Sequence, residues 1–177
     1  LQAETEVHND TKQGQVVNNI CNTYLAKGDF DNARIYFTQA LQVREKLKVP
    51  SDIADTLHNL AETSMRTGQF DQAQDQYLKA LEIRRTAGDK RGAAIESSGL
   101  GVLFGYQGRF GAAISAQEEA INGLRDAKEK GFWSTEVLIA YGHALAQAGR
   151  GEAADKQHAE GWTARSGGKG QSQVRTT

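Results

Sequence analysis

The sequence contains little cysteine and little proline, and each shortage excludes a class of protein. Its single cysteine, Cys21, excludes an intrachain disulfide framework and a cysteine-based zinc site, so a reducing cytosol is the expected compartment. One proline in 177 residues leaves room for long uninterrupted helices. No apolar run approaches the roughly 20 residues that a membrane-spanning helix needs, so no membrane segment is expected.

An excess of charge of one sign is also missing. The chain has 21 Lys and Arg against 22 Asp and Glu, which gives a formal net charge of −1. A nucleic-acid-binding domain normally carries a basic excess, and a polybasic membrane anchor needs one too. Neither nucleic acid nor membrane is therefore an expected partner. The length fits one domain or a short repeat array.

What the sequence does contain is an internal repeat. A Gly-x-Phe triplet begins at Gly28, Gly68 and Gly108, with a period of 40 residues, and a weaker fourth copy begins at Gly149. Every one of these glycines is followed five residues later by an alanine; the four alanines are Ala33, Ala73, Ala113 and Ala154.

Apolar and small residues on both sides of each glycine recur at i, i+3, i+4 and i+7, which places them on one helix face. Each copy therefore predicts a helix, a glycine-centred turn and a second helix. The helices are expected near residues 14–27, 30–48, 52–67, 70–87, 90–107, 110–130, 134–148 and 151–165. They form an array over 14–165, divided into repeats at about 14–50, 51–89, 90–131 and 132–165.

The two ends of the chain differ from the array. Shifting residues 1–13 by one period aligns Leu1 with Leu41. Two interpretations stay open: these residues are the remnant of a preceding repeat in a chain cut from a longer array, or they form a short N-terminal cap helix. Residues 166–177 are rich in Gly, Ser, Gln and Lys and predict a flexible tail.

Basic residues gather near the ends of the second helices, including Arg44, Arg84 and Arg85. The helix macrodipole favours cations there, and contact with a partner is the alternative. Phe132 and Trp133 precede the last helix pair, where they form either a hydrophobic staple or an exposed aromatic anchor. Trp162 aligns with Leu41 and Leu81, so a core position is expected for it.

In combination these positions resemble the tetratricopeptide repeat family, over about residues 14–165. The positions that carry the resemblance are the small residues Cys21, Ala61, Gly101 and Gly142, the turn glycines, the aromatics Phe30, Phe70 and Phe110, and the second-helix alanines. The usual family period is about 34 residues, so 40-residue copies are longer by about one helical turn. Such long repeats are similar to those of kinesin light chains and of many bacterial regulatory proteins. Gln117 and His158 depart from the pattern, because they replace the second-helix aromatics Phe37 and Tyr77.

The resemblance implies an all-α, right-handed superhelical solenoid of antiparallel helix pairs. Its first helices would line a concave groove that holds an extended peptide or a partner helix. Carried over one by one, the groove positions in the predictions are Asn18, Asn22, Asp55, His58, Glu62, Met65, Ser98, Val102, Tyr106, His143 and Gln147.

Some of these residues suggest the chemistry of a ligand. Asn18 and Asn22 lie one turn apart, so both amides could bond the backbone of an extended peptide, or both could simply be solvated on an exposed helix face. Asp55 and Glu62 favour a ligand of basic or polar character. The carboxylate clamp by which one family subset binds chaperone C-termini is missing, because Glu62 replaces its second Asn.

No pattern for catalysis is found. His58 and Glu62 lie at i, i+4, but two ligands do not make a metal site, so a polar groove pair is the preferred interpretation. Neither a nucleophile elbow nor a phosphate-binding loop occurs. We therefore expect a non-catalytic scaffold without metal or cofactor.

Two other functions stay open. The chain could be a sensory or regulatory module of a larger protein. It could also be a structural array that self-assembles, because the ends of repeat arrays expose apolar surface unless they are capped.

Overall fold

The computed structural model describes residues 23–129 and 131–165. The interpretations that concern residues 1–13, Asn18, Cys21, Asn22 and residues 166–177 lie outside this part. Residues 23–26 are helical, and seven further helices follow, with no strand in the described ranges. These helices are α1 (Phe30–Leu47), α2 (Pro50–Arg66), α3 (Phe70–Thr86), α4 (Lys90–Tyr106), α5 (Phe110–Asp126), α6 (Phe132–Gln147) and α7 (Gly151–Arg165).

The helix bounds follow the predicted ones with two informative differences. Helix α2 begins at Pro50, two residues early, because proline is well suited to the first position of a helix, where its missing N–H needs no partner. Helix α5 ends at Asp126 and not near residue 130. Lys128 takes a left-handed conformation there, with φ 56°, and its N–H bonds the Arg125 carbonyl at 2.9 Å.

The turns within the pairs depend on glycine. Gly108 has φ +72°, a conformation that costs other residues energy, and its N–H donates to the Gly105 carbonyl at 3.0 Å. The next residue closes the turn, because the Arg109 N–H donates to the Phe104 carbonyl at 2.9 Å. The chain thus reverses within a few residues, and the second helix packs back against the first.

The chain divides into two compact units, residues 1–87 and 88–177. In the first unit, α2 packs against both α1 and α3. One cluster joins Ala33, Phe37 and Leu60, and a second joins Ala54, Leu57 and Ala80. The repeat's small residues lie directly against large ones, as the close approach of two helices requires.

In the second unit, α5 packs against α4 and α6, and α6 also contacts α4 and α7. Its clusters are Ala113, Ile114, Ala144, Leu145 and Ala154, and Ala94, Ala120, Leu124 and Val137. The fold is therefore all-α, with helix pairs packed in series in each unit.

The aromatic residues of the second unit separate into packed and exposed ones. The loop position expected for Phe132 and Trp133 is wrong, because both lie in the first turn of α6. Trp133 is half-buried and packs on the cluster of Ala94 and Leu124, whereas Phe132 is 66% exposed and meets the Trp133 ring edge-on at 5.4 Å. The core position expected for Trp162 is wrong: its side chain is 69% exposed. Helix α7 is the last described helix, so no later described helix covers the face that carries Trp162.

Candidate functional site

Four predicted residues among the described part of the first unit lie along one face of α2. Asp55 is exposed, and His58, Glu62 and Met65 are half-buried. The Asp55 carboxylate forms an ion pair with the Arg84 guanidinium of α3, whose side chain is largely buried. The His58 ring meets the buried Tyr77 ring edge-to-face at 5.7 Å. Asp55 therefore does not present an unpaired negative charge to a ligand, and the preference for a basic ligand rests on Glu62.

Two arginines at the ends of second helices reach the neighbouring first helix. Arg84 is paired as above, and the buried Arg44 donates to the Asp52 carbonyl at 3.2 Å and to the Thr56 hydroxyl. Both arginines thus join helices within the first unit, a role that the macrodipole interpretation did not include.

The predicted residues of the second unit surround a cleft between α4 and α6. The cleft has a volume of about 190 Å³. Val102 and Tyr106 contribute from α4, and His143 and Gln147 contribute from α6. The remaining lining residues are small: Gly101, Gly105, Ala140 and Ala144. We call this set of eight residues the α4–α6 cleft.

Ser98, also predicted for the groove, is not among these lining residues and forms hydrogen bonds with a core residue, Gln117. Its hydroxyl donates to Gln117 Oε1 at 2.9 Å, and Gln117 Nε2 donates to the Ser98 carbonyl at 3.0 Å. Gln117 is fully buried in the position that holds Phe37 and Tyr77 in earlier repeats. The amide is thereby satisfied, as a buried polar group requires.

The buried glutamine explains Gly101 in the lining of the cleft. A Cβ atom at this position would lie 2.7 Å from Gln117 Nε2, so any larger residue would have to displace the Gln117 side chain. The same relation recurs in the last pair, where a Cβ on Gly142 would overlap the His158 ring. His158 in turn meets His143 of the cleft edge-on, with 5.1 Å between ring centres. The sequence contains a signal for these two contacts. In both repeats whose small first-helix residue is glycine, a polar residue replaces the second-helix aromatic.

One further polar contact joins α5 to α6. The Tyr141 hydroxyl donates to Glu118 Oε1 at 2.8 Å. Burial raises the pKa of the Tyr141 phenol above its ordinary value, and the hydrogen bond to Glu118 raises it further. The nearby negative charge acts in the same direction, because ionising the phenol beside a carboxylate is unfavourable.

The part of the chain that the structure describes holds no group of three or more His, Cys, Asp or Glu placed to bind a metal ion. None of its helices combines the length and the apolar character that crossing a bilayer requires.

Helix pairs joined by glycine turns, with small residues between the helices, define the class of helical repeat proteins. Two family models described as tetratricopeptide repeat match the chain, one over residues 52–126 and the other over residues 15–47. The chain belongs to the tetratricopeptide repeat family. No curated protein sequence matches it significantly.

Solved structures show the same fold. BtubC (BKLC) from P. vanneervenii is similar with a TM-score of 0.76 and 19% identity, over 93% of this chain and 67% of that one. A Podosopora anserina putative kinesin light chain, with nearly identical TPR-like repeats, gives 0.70 and 12%, over 83% and 72%. The apo form of RapI gives 0.76 and 16%, over 86% of this chain and 56% of RapI. At these identities the likeness concerns the fold alone.

Proposed function

We propose that this chain is a non-catalytic scaffold that binds an extended peptide or a partner helix along the first helices of its repeats. The observation that carries the proposal is the α4–α6 cleft. Four residues chosen from the repeat pattern, Val102, Tyr106, His143 and Gln147, line one concavity there. Concave sites with apolar walls and a few polar groups are where proteins bind ligands.

The mechanism is preorganisation. Packed helices hold the lining residues in place before binding, so the flexible partner bears most of the ordering cost. The hydrogen bonds between Ser98 and the buried Gln117 and the clusters beneath α4 and α6 supply that rigidity in the second unit. A cytoplasmic location is part of this proposal and is supported by the single cysteine of the sequence.

A pull-down from native lysate tests the proposal. The chain is compared with a variant of the second unit, Tyr106→Ala with Gln147→Ala, and with a variant of the first unit, Asn18→Ala with Asn22→Ala and Glu62→Lys. A matched control, Leu78→Ala with Gln72→Ala, alters exposed residues of the second helix α3. We expect a partner that the parent and the control capture and that at least one groove variant loses, with circular dichroism unchanged. Equal capture by all four proteins would contradict a groove-based function.

Self-assembly is a second candidate, favoured by the exposed Trp162 on the last described helix. Light scattering over a dilution series would show a dimer that Trp162→Ser dissociates; a monomer at every concentration would exclude it. The alternative of a regulatory module within a larger protein is decided by the complete reading frame.

A further inference from the structure

The α4–α6 cleft contains none of the four fully charged residue types. Its eight lining residues include no Lys, Arg, Asp or Glu. Another cleft of the second unit differs in this respect, because Arg125, Glu129 and Glu160 lie among its lining residues. A charged side chain that enters the α4–α6 cleft loses hydration and meets no opposite charge from the lining, so its binding is disfavoured.

The volume of the cleft limits the size of the ligand group that it can hold. A volume of about 190 Å³ is below the roughly 300–1,000 Å³ of sites for drug-sized ligands. It leaves room for one large side chain, not for a cofactor. The alanine residues of the lining, Ala140 and Ala144, let that side chain approach the α6 backbone closely, whereas the space beside Gly101 is taken by Gln117.

The two sides of the cleft present different chemical surfaces to a ligand. Tyr106 is 68% exposed and presents an aromatic surface, and Val102 adds an aliphatic one. His143 and Gln147 are exposed polar groups on the α6 side. A side chain in the cleft would therefore meet apolar and aromatic surface, while the backbone of an extended peptide passes hydrogen-bonding groups.

We infer that the α4–α6 cleft is a specificity pocket for one uncharged apolar side chain, aromatic or branched aliphatic, of an extended peptide. The inference rests on the proposed function and names the chemistry of the ligand at this site.

Amide NMR spectra of the 177-residue chain test the selectivity. The probes are the N-acetyl amides of phenylalanine, leucine, lysine and glutamate, each titrated separately. We expect the phenylalanine and leucine probes to shift the amides of Gly101, Gly105 and Ala144, at least about fivefold more tightly than the charged probes. Equal binding of a charged probe, or apolar probes that leave these amides unmoved, would overturn the inference.

Two variants and one control localise the effect. Ala140→Leu fills the cleft and should abolish the shifts, whereas Ala146→Leu adds the same bulk at an exposed position of the same helix and should preserve them. Gln147→Glu adds a charge at an exposed cleft residue without filling the cleft, so it should increase binding of the lysine probe severalfold. If Gln147→Glu leaves the lysine probe unchanged, or if Ala140→Leu folds and still binds the phenylalanine probe, the selectivity is refuted.

The pull-down separates the two levels of the proposal. Suppose that the variant Tyr106→Ala with Gln147→Ala loses the partner but the probes show no apolar preference. The pocket chemistry is then overturned, and the scaffold function stays intact. If the cleft variants keep both the partner and the apolar probes, the pocket is overturned. The scaffold function is overturned as well only if the variant of the first unit also keeps the partner.

Discussion

Gly101 has no side chain because the buried Gln117 amide packs directly against its backbone. Because a Cβ there would lie 2.7 Å from Gln117 Nε2, Gly101→Ala must displace the buried amide and its two bonds to Ser98. We expect a loss of about 1–3 kcal/mol in the free energy of unfolding, measured by urea denaturation. The loss should not add to that of Gln117→Ala, since the two changes disrupt one contact.

Gly111→Ala is the matched control for Gly101→Ala. Gly111 is exposed in α5, and a Cβ there would meet no atom within 4 Å. Alanine costs less conformational entropy than glycine in a helix, so the free energy of unfolding should stay equal or rise by up to about 1 kcal/mol. If both substitutions change the stability equally, the contact with Gln117 is not the cause.

The phenol of Tyr141 should titrate above its ordinary pKa, because it is partly buried and donates to Glu118. A raised pKa means that the folded chain holds this proton more tightly than the unfolded one. The stabilising contribution is therefore complete below pH 10, the ordinary tyrosine value, and is lost as the pH rises through the raised pKa.

The measurement is a ring-specific NMR titration of tyrosine, with Tyr141→Phe to assign the signal. Glu118→Gln removes the nearby charge and should lower the pKa of Tyr141 toward the ordinary value, while the part due to burial remains. A Tyr141 signal that titrates like a free phenol in the parent chain would refute the interaction.

At the scale of single helices, capping differs between otherwise equivalent turns. Asp89 precedes α4 and accepts from the Gly92 N–H at 2.8 Å, and Asp29 precedes α1 and accepts from the Asn32 N–H at 3.3 Å. Gln69 precedes α3 with nearly the same backbone angles as Asp29 but makes no side-chain cap bond.

Gln69→Asp should therefore create the missing cap. We expect a gain of about 0.5–1 kcal/mol in the free energy of unfolding. The measurement is the midpoint of urea denaturation at neutral pH. Gln69→Asn is the control that separates the hydrogen bond from the charge, and it should keep most of the gain. An unchanged midpoint in both variants would show that the backbone there does not support a cap.

The repeat pattern predicted the helices well because their apolar period fixes which face is buried: Phe37 and Tyr77 are buried as the period requires. The pattern did not predict contacts or burial that depend on side chains distant in sequence. The Arg84 partner of Asp55 lies 29 residues away, and no local spacing indicates that pair. Trp162 repeats a core position, but its burial depends on a covering helix, which periodicity does not supply.

For the candidate site, the pattern selected residues from both helices that line the α4–α6 cleft, since first helices of successive repeats lie side by side. It did not anticipate that the Ser98 hydroxyl would bond Gln117. That difference arises because a polar residue in an aromatic position must find a buried partner, and the nearest first helix supplies it.

At the scale of the whole molecule, the energetics of a repeat protein are sums of local terms and nearest-neighbour terms. Gly142→Ala places a methyl group on the His158 ring and so strains the contact between α6 and α7. We expect hydrogen exchange to lose protection most in these two helices and least in α2 and α3, because opening of the last pair need not open the first unit. Gly151→Ala adds the same group in open space on α7 and should leave the exchange pattern unchanged. A uniform loss of protection from α1 to α7 in Gly142→Ala would instead mean that the chain unfolds as one cooperative body, and that stability cannot be assigned to repeats.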